Sequence, residues 1–195
     1  MGIDFSRKPS LGNDVVLLRP FSREDLEPLG QILSDPEVLK LTGSVNSTMA
    51  ANSAQPVLDH ATQNWYLTRN EQADRLDLAV VDPVSELCVG EVVLNDLDEV
   101  NRVAGFRILI GARGRNRGLG TAAIALILDY AFTTTELHRI ELEVFAFNPR
   151  AVHVYERAGF MFEGTRRDAL IFDGRFIDAH FISILATDVR PTVDF

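Results

Sequence analysis

The stretch RGRNRGLGT, Arg113 to Thr121, joins an apolar run, Phe106 to Gly111, to a long apolar segment, Thr121 to Phe132, with the composition of a buried helix. A strand, a loop rich in glycine and arginine, and a helix start bring consecutive backbone N–H groups and the positive end of a helix dipole to one place. Such a place binds an anion, and a phosphate group is the expected ligand. Beyond the helix, Arg139 to Phe147 alternates Ile140, Leu142 and Val144 with Glu141 and Glu143, the pattern of a strand with one wetter face. Strand, helix and strand in that order imply a parallel pair.

Toward the N-terminus, Leu76 to Val81 and Leu87 to Leu94 flank a turn composition at Asp82, Pro83 and Ser85. With Arg102 to Ile110 they make an antiparallel meander that delivers the chain into the loop. Earlier still, Val15 to Arg19 is a strand closed by Pro20, and Ser22 to Asp25 starts a helix to about Leu33. Ser34, Pro36 and Glu37 start a short helix ended by Gly43. Ser44 to Gln55 has no periodicity and reads as a loop, either a cover for a substrate site or a plain connection. Val57, Ala61 and Trp65 make Pro56 to Asn70 a third helix. Downstream, Pro149 begins a helix through Arg157 that Gly159 ends, and Asp173-Gly174 turns a hairpin. No repeat or linker divides the chain, so residues 1–195 are expected to form a single domain with a core spanning about 13–187.

The chain carries 28 Asp and Glu against 19 Lys and Arg. That balance argues against unspecific nucleic-acid binding and admits a cationic substrate, with the Arg113 loop as a local exception. A lone Cys88 leaves no internal disulfide and no cysteine pair for zinc, as in a reducing compartment, and His138 and His153 lack the spacing of a metal pair or a catalytic triad. No metal is expected. The first residues, MGIDFSRKPS, have no apolar core of a leader, and no uninterrupted apolar run reaches about 18 residues, so the expectation is a cytoplasmic protein that does not span a membrane.

Two phosphate folds compete for the glycines. Gly118-Leu-Gly120-Thr-Ala-Ala123 fits G-x-G-x-x-[GA], with Glu141 about 20 residues on, where a dinucleotide site keeps its ribose-binding acid. In that fingerprint, however, the strand runs straight into the first glycine, whereas here Arg113 to Arg117 intervene and a long segment precedes the site. Arg115-Asn116-Arg117-Gly118-Leu119-Gly120 instead matches Arg/Gln-x-x-Gly-x-Gly/Ala, the pyrophosphate loop of the GNAT N-acetyltransferase superfamily, which this chain resembles. The order of meander, loop, helix and strand supports the resemblance, as does Asn148-Pro-Arg-Ala-Val-His-Val-Tyr155-Glu-Arg-Ala-Gly-Phe160. Within the superfamily the chain is similar to ribosomal-protein N-terminal acetyltransferases, and its Asn148 to Glu156 segment to spermidine acetyltransferases. The resemblance implies an α/β (α+β) GNAT fold whose mixed central sheet of about seven strands splays at the strands before and after the loop. It also allows a homodimer.

By the same resemblance the donor is acetyl-coenzyme A, with phosphates against the backbone from Arg115, Asn116 and Arg117 through Gly118, Leu119, Gly120 and Thr121. Unpaired backbone near Ile108, Leu109 and Ile110 would hold the pantetheine and polarise the acetyl carbonyl. Asn148 either bonds the pantetheine or caps the following helix. Tyr155 aligns with the tyrosine set near the coenzyme sulfur and is the implied general acid; a core-facing aromatic is the plainer reading. The base is less well marked, because Gly105 stands where several relatives carry a glutamate. Glu91 is the first candidate, Asp96 the second, with Glu143 on the next strand and unaided loss of the proton to water as alternatives. The implied reaction is acetyl transfer to a primary amine, ranked as a protein or peptide N-terminus and then a small amine such as a polyamine or aminoglycoside. A non-catalytic acyl-coenzyme A sensor is the rival.

Overall fold

The computed structural model describes residues 3–191. Its centre is one eight-stranded sheet in the order β1-β2-β3-β4-β5-β6-β8-β7. The strands are β1 (Leu11–Gly12), β2 (Leu17–Arg19), β3 (Leu76–Val81), β4 (Cys88–Asp98), β5 (Val103–Ile110), β6 (Arg139–Phe145), β7 (Met161–Phe172) and β8 (Arg175–Leu185). Helices α1 (Leu26–Leu33), α2 (Pro36–Leu41), α3 (Thr48–Asn52) and α4 (His60–Thr68) lie between β2 and β3 in sequence, α5 (Leu119–Thr134) joins β5 to β6, and α6 (Pro149–Arg157) joins β6 to β7. The strand beyond the expected seven is β1, whose two residues pair with β2 and are too few to show a period.

The sheet is antiparallel except at β5 and β6, and that exception makes the site. Their parallel pairing covers Val103↔Arg139, Ala104↔Ile140 and Gly105↔Glu141 and then stops, although β5 continues to Ile110 and β6 to Phe145. On their outer sides both strands stay paired: β5 to β4 up to Gly90↔Ile110, and β6 to β8 from Arg139↔Leu185 to Phe145↔Ala179. The two halves of the sheet therefore diverge from Gly105 onward, and the edges facing the gap have no ladder partner.

Both faces are covered over the central strands. On one, Ala122, Ile124, Ile127 and Leu128 of α5 pack against Leu78, Val92, Phe106 and Ile140. On the other, Leu29 of α1 and Tyr66 of α4 pack against Ala79, Val81 and Cys88. Strand β3 is buried along its whole length, which is why Leu-Asp-Leu-Ala-Val-Val is nearly continuously apolar. Ile3 and Phe5 also join the core, so packing begins ahead of residue 13, and Phe5 N donates to Ala73 O at 2.9 Å.

Two local readings are corrected. Ser44 to Gln55 contains α3, a single turn capped by Ser47 Oγ accepting from Ala50 N, too short to carry an apolar stripe. The third expected helix begins at His60, not at Pro56, because Asp59 takes the N-cap and accepts from Thr62 N at 2.7 Å. The Asp173-Gly174 turn is left-handed at both residues, φ 47° and 73°, as the two-residue hairpin requires. It docks on α3: Asp173 accepts from Thr48 N at 2.8 Å and Thr48 Oγ1 at 2.5 Å. Lys40 on α2 lies 5.4 Å and 5.3 Å from the ring centres of Phe147 and Phe172. These contacts tie the helical segment before β3 to the C-terminal hairpin across the diverging end of the sheet.

Candidate active site

The loop between β5 and α5 is held from both ends. Gly111 N donates to Val89 O at 2.8 Å, and Gly114 N to Gly111 O at 2.9 Å. Asn116 and Gly118 are left-handed, φ 59° and 77°, on either side of the turn. Gly118 is the N-cap of α5 and supplies no side chain to it, so the N–H groups of the first turn, Leu119 to Thr121, are free to meet a ligand. A Cβ placed on Gly118 would meet no protein atom within 4 Å, so the cradle opens outward. Bare amides, a helix N-terminus and open space above them suit a diphosphate.

The side chains of Arg115 and Arg117 in the loop are engaged within the protein. Arg115 donates from Nη2 to Asp35 at 2.8 Å, from Nη1 to Glu37, and from Nε to Ile110 O at 3.0 Å. Arg117 makes a forked pair with Asp82 at 2.9 and 3.0 Å. Both guanidinium groups are neutralised by carboxylates and pin the loop to the start of α2 and to the β3–β4 turn. The Asp82 carboxyl is held down at about 2 by the Arg117 pair first, then by Ser85. Because its folded value lies below the ordinary one, this support is complete above the usual Asp range and is lost as pH falls toward about 2. Asp82→Ala and Arg117→Ala are each expected to raise the dissociation constant for acetyl-coenzyme A about threefold to fivefold, and the double variant no further. If Arg117 met the phosphates directly, its replacement would cost more than that of Asp82.

A cavity of about 420 Å³ occupies the gap between β5 and β6. Ile108, Leu109 and Ile110 line one wall, Leu142 to Phe145 the other, and Arg115, Asn116, Gly118, Gly120 and Thr121 the loop end. Arg117 and Leu119 are not in its lining; Leu119 faces the core and is 2% exposed. Asn148 caps α6, its Oδ1 accepting from Ala151 N at 3.1 Å, and it also lines the cavity. The capping reading of Asn148 is thus observed, at a residue that borders the cavity.

Tyr155, on α6, is buried but reaches the same cavity. Its ring stands edge-on to Phe106 at 6.1 Å and tilts against Phe160 at 5.6 Å. Burial pushes the phenol's pKa up, so it stays protonated at any working pH.

A second cavity, about 400 Å³, opens on the face covered by α1, α2 and α4. Trp65, Tyr66, Ala61 and Leu33 form its outer walls. It shares Val38, Thr42, Arg107 and Leu109 with the first, so one wall of side chains separates two adjoining spaces. Glu91 lies against this second cavity with no exposed surface; Oε2 accepts from Tyr66 Oη at 2.8 Å and Oε1 from Arg107 Nη2 at 2.7 Å. Burial raises its pKa, opposed by the Arg107 charge. Asp96 is at the other end of β4, exposed, bonded to Asn95 Nδ2 at 2.8 Å and outside both cavities. Glu143 lines the first cavity but is paired with Arg166 at 3.1 Å. Tyr66 and Arg107 are the residues that sequence reasoning missed, and the aromatic-rich α4 beside the expected substrate loop was the only signal for the first of them. Among the described residues no cluster of His, Cys, Asp and Glu could hold a metal, and no helix is long and apolar enough to cross a membrane.

An open amide cradle at a helix start, leading into a slot between diverging parallel strands, defines a site for a long donor with a phosphate head. Residues 16–161 match the acetyltransferase (GNAT) domain family, and the chain belongs to it. Enzymes of this family transfer acetyl from acetyl-coenzyme A to an amine. The chain is 36% identical over 106 residues to a spermidine N(1)-acetyltransferase of Vibrio cholerae, a stretch covering 54% of this chain and 61% of that relative. It is also 36% identical over 99 residues to the putative ribosomal N-acetyltransferase YdaF of Bacillus subtilis, covering 51% of this chain and 54% of that protein. A crystal structure of the Vibrio cholerae spermidine N-acetyltransferase in complex with CoA and spermine superposes with a TM-score of 0.75 at 26% identity, covering 90% of this chain and 98% of that one.

Proposed function

We propose that the protein acetylates the α-amine of a compact acceptor, a peptide or protein N-terminus first among them, with acetyl-coenzyme A as donor. The observation that carries this reading is the meeting of two cavities at Val38, Thr42, Arg107 and Leu109, of which this reading gives the first to the donor and the second to the acceptor. The acceptor cavity has aromatic and aliphatic walls, and its single carboxylate, Glu91, is already satisfied by Tyr66 and Arg107. A polyamine brings several ammonium groups and needs several free carboxylates to hold them. A single amine beside an apolar side chain does not.

In this reading the loop amides and the α5 N-terminus hold the donor's phosphates, and the unpaired edge of β5 from Ile108 to Ile110 holds its amides and polarises the carbonyl. Tyr155 donates a hydrogen bond toward the departing sulfur. Glu91 acts as a positioning residue for Arg107, and the amine loses its proton to water before it enters. The second reading, polyamine acetylation, draws on the relatives named as spermidine acetyltransferases and on the net charge of −9. Thiol release measured across N-terminal peptides, spermidine and an aminoglycoside separates the two. The highest kcat/KM is expected with a peptide; turnover of spermidine alone would replace the first reading by the second, and bound coenzyme without turnover of any amine would leave a sensor.

A further inference from the structure

From the acceptor cavity we infer that the preferred acceptor carries a carboxylate close to its amine, and that Arg107 recognises it. The inference rests on the α-amine reading above and goes beyond it to the chemistry around the amine.

Arg107 is the charged group that the acceptor cavity exposes. Its side chain is 46% exposed, whereas that of Glu91 is 1%. Guanidinium offers five N–H donors, and among the described residues its one hydrogen bond is from Nη2 to Glu91. Arg107 itself belongs to the wall common to both cavities. This arginine is also held from behind in a way that a solvated surface arginine is not. Glu91 is entirely enclosed, and its second oxygen accepts from Tyr66 Oη, which is itself buried and edge-on to Phe21 at 5.1 Å and to Trp65 at 4.8 Å. Enclosing a carboxylate costs several kcal/mol in general, and here it fixes one guanidinium at the junction of donor and acceptor spaces.

A fixed cation at that point discriminates among amines. It lowers the pKa of a nearby ammonium and so favours the uncharged, attacking form. It also disfavours a polycation, since both oxygens of Glu91, the one carboxylate in the described lining of the acceptor cavity, are occupied. An acceptor with its own carboxylate supplies a second partner, beside Glu91, through the guanidinium donors that Glu91 does not use. That carboxylate can come from two sources, the α-carboxylate of a free amino acid or the acidic side chain of an Asp or Glu at a peptide N-terminus.

The test compares each acid with its amide. Thiol release by the full chain is measured with free amino acids against their carboxamides, with peptides beginning Asp or Glu against those beginning Asn or Gln, and with spermidine. At least about a tenfold higher kcat/KM for the acid member of one pair set is expected, and the set that shows it identifies the source. Arg107→Gln is expected to bring the ratio to near one, and Arg107→Lys to leave part of it. The wild-type ratio stands without either variant. Equal rates for acids and amides, with α-amines still acetylated, overturn the role of Arg107 alone; acetylation of spermidine with no α-amine turned over overturns the α-amine reading and this inference together.

Discussion

Replacing Tyr155 by phenylalanine is expected to lower kcat about 100-fold while leaving the dissociation constant for acetyl-coenzyme A unchanged. The reason lies in what the side chain does apart from its hydroxyl. Its ring fills the angle between Phe106 and Phe160, and phenylalanine keeps both contacts. Among the described residues the Tyr155 side chain makes ring contacts and no hydrogen bond, so removing the hydroxyl leaves no buried partner unsatisfied and costs little stability. What disappears is one proton donor on the wall of the slot where the donor's sulfur is proposed to lie. Since burial keeps the phenol protonated, the activity of the wild type between pH 6 and 9 is expected to show no limb that vanishes in Tyr155→Phe. Single-turnover rates and a binding titration on the same preparations check both halves. An unchanged kcat would return Tyr155 to a packing role, and a weakened titration would make it a binding residue.

The sequence shows the donor side of the site more fully than the acceptor side. A glycine loop between an apolar strand and an apolar helix is local information, and so is a cap: Asn148 before Pro149 acts within three residues of its partner, although at the start of α2 the cap is Asp35 and not the Ser34 of the sequence reading. The divergence of β5 and β6 followed from the family resemblance. What the sequence does not display is long-range. The side-chain partners of Arg115 and Arg117, Asp35 and Asp82, stand 80 and 35 residues away and are brought up only when β4, β5 and α2 assemble. The same holds for Glu91, whose alternation onto one face of β4 is visible in sequence while the Tyr66 hydroxyl that closes over it is not. Whole-chain acidity admits a cationic acceptor, and the cavity itself holds one carboxylate and one guanidinium in a pair. Net charge is a property of the surface, and selection occurs in a pocket with its own balance.

The same assembly makes one backbone position intolerant of any side chain. Gly90→Ala is expected to destabilise the fold by about 3 kcal/mol or more, a fall in melting temperature of roughly 10 °C. A Cβ at Gly90 would stand 2.2 Å from Leu109 O and 2.9 Å from Ile110 Cδ1, and real Cβ contacts do not fall below 3.0 Å. The nearest atom is backbone, so no rotamer relieves it. The ladder cannot simply widen either, because Gly90↔Ile110 and Glu91↔Leu109 are successive pairs of β4 and β5, and Val89 O holds Gly111 N at the start of the phosphate loop. Moving β5 outward would therefore shift Leu109 and Arg107 in the shared wall as well as the loop behind them, so the fraction that still folds is expected to bind donor and acceptor less tightly. Gly164 on β7 is the control, for a Cβ there meets nothing within 4 Å, and Gly164→Ala is expected to stay within about 0.5 kcal/mol of the wild type. Denaturant titrations of the two variants decide the matter: equal midpoints would mean that β4 and β5 can separate freely, and the wall between the two cavities would then lose the rigidity on which the placement of Arg107 depends.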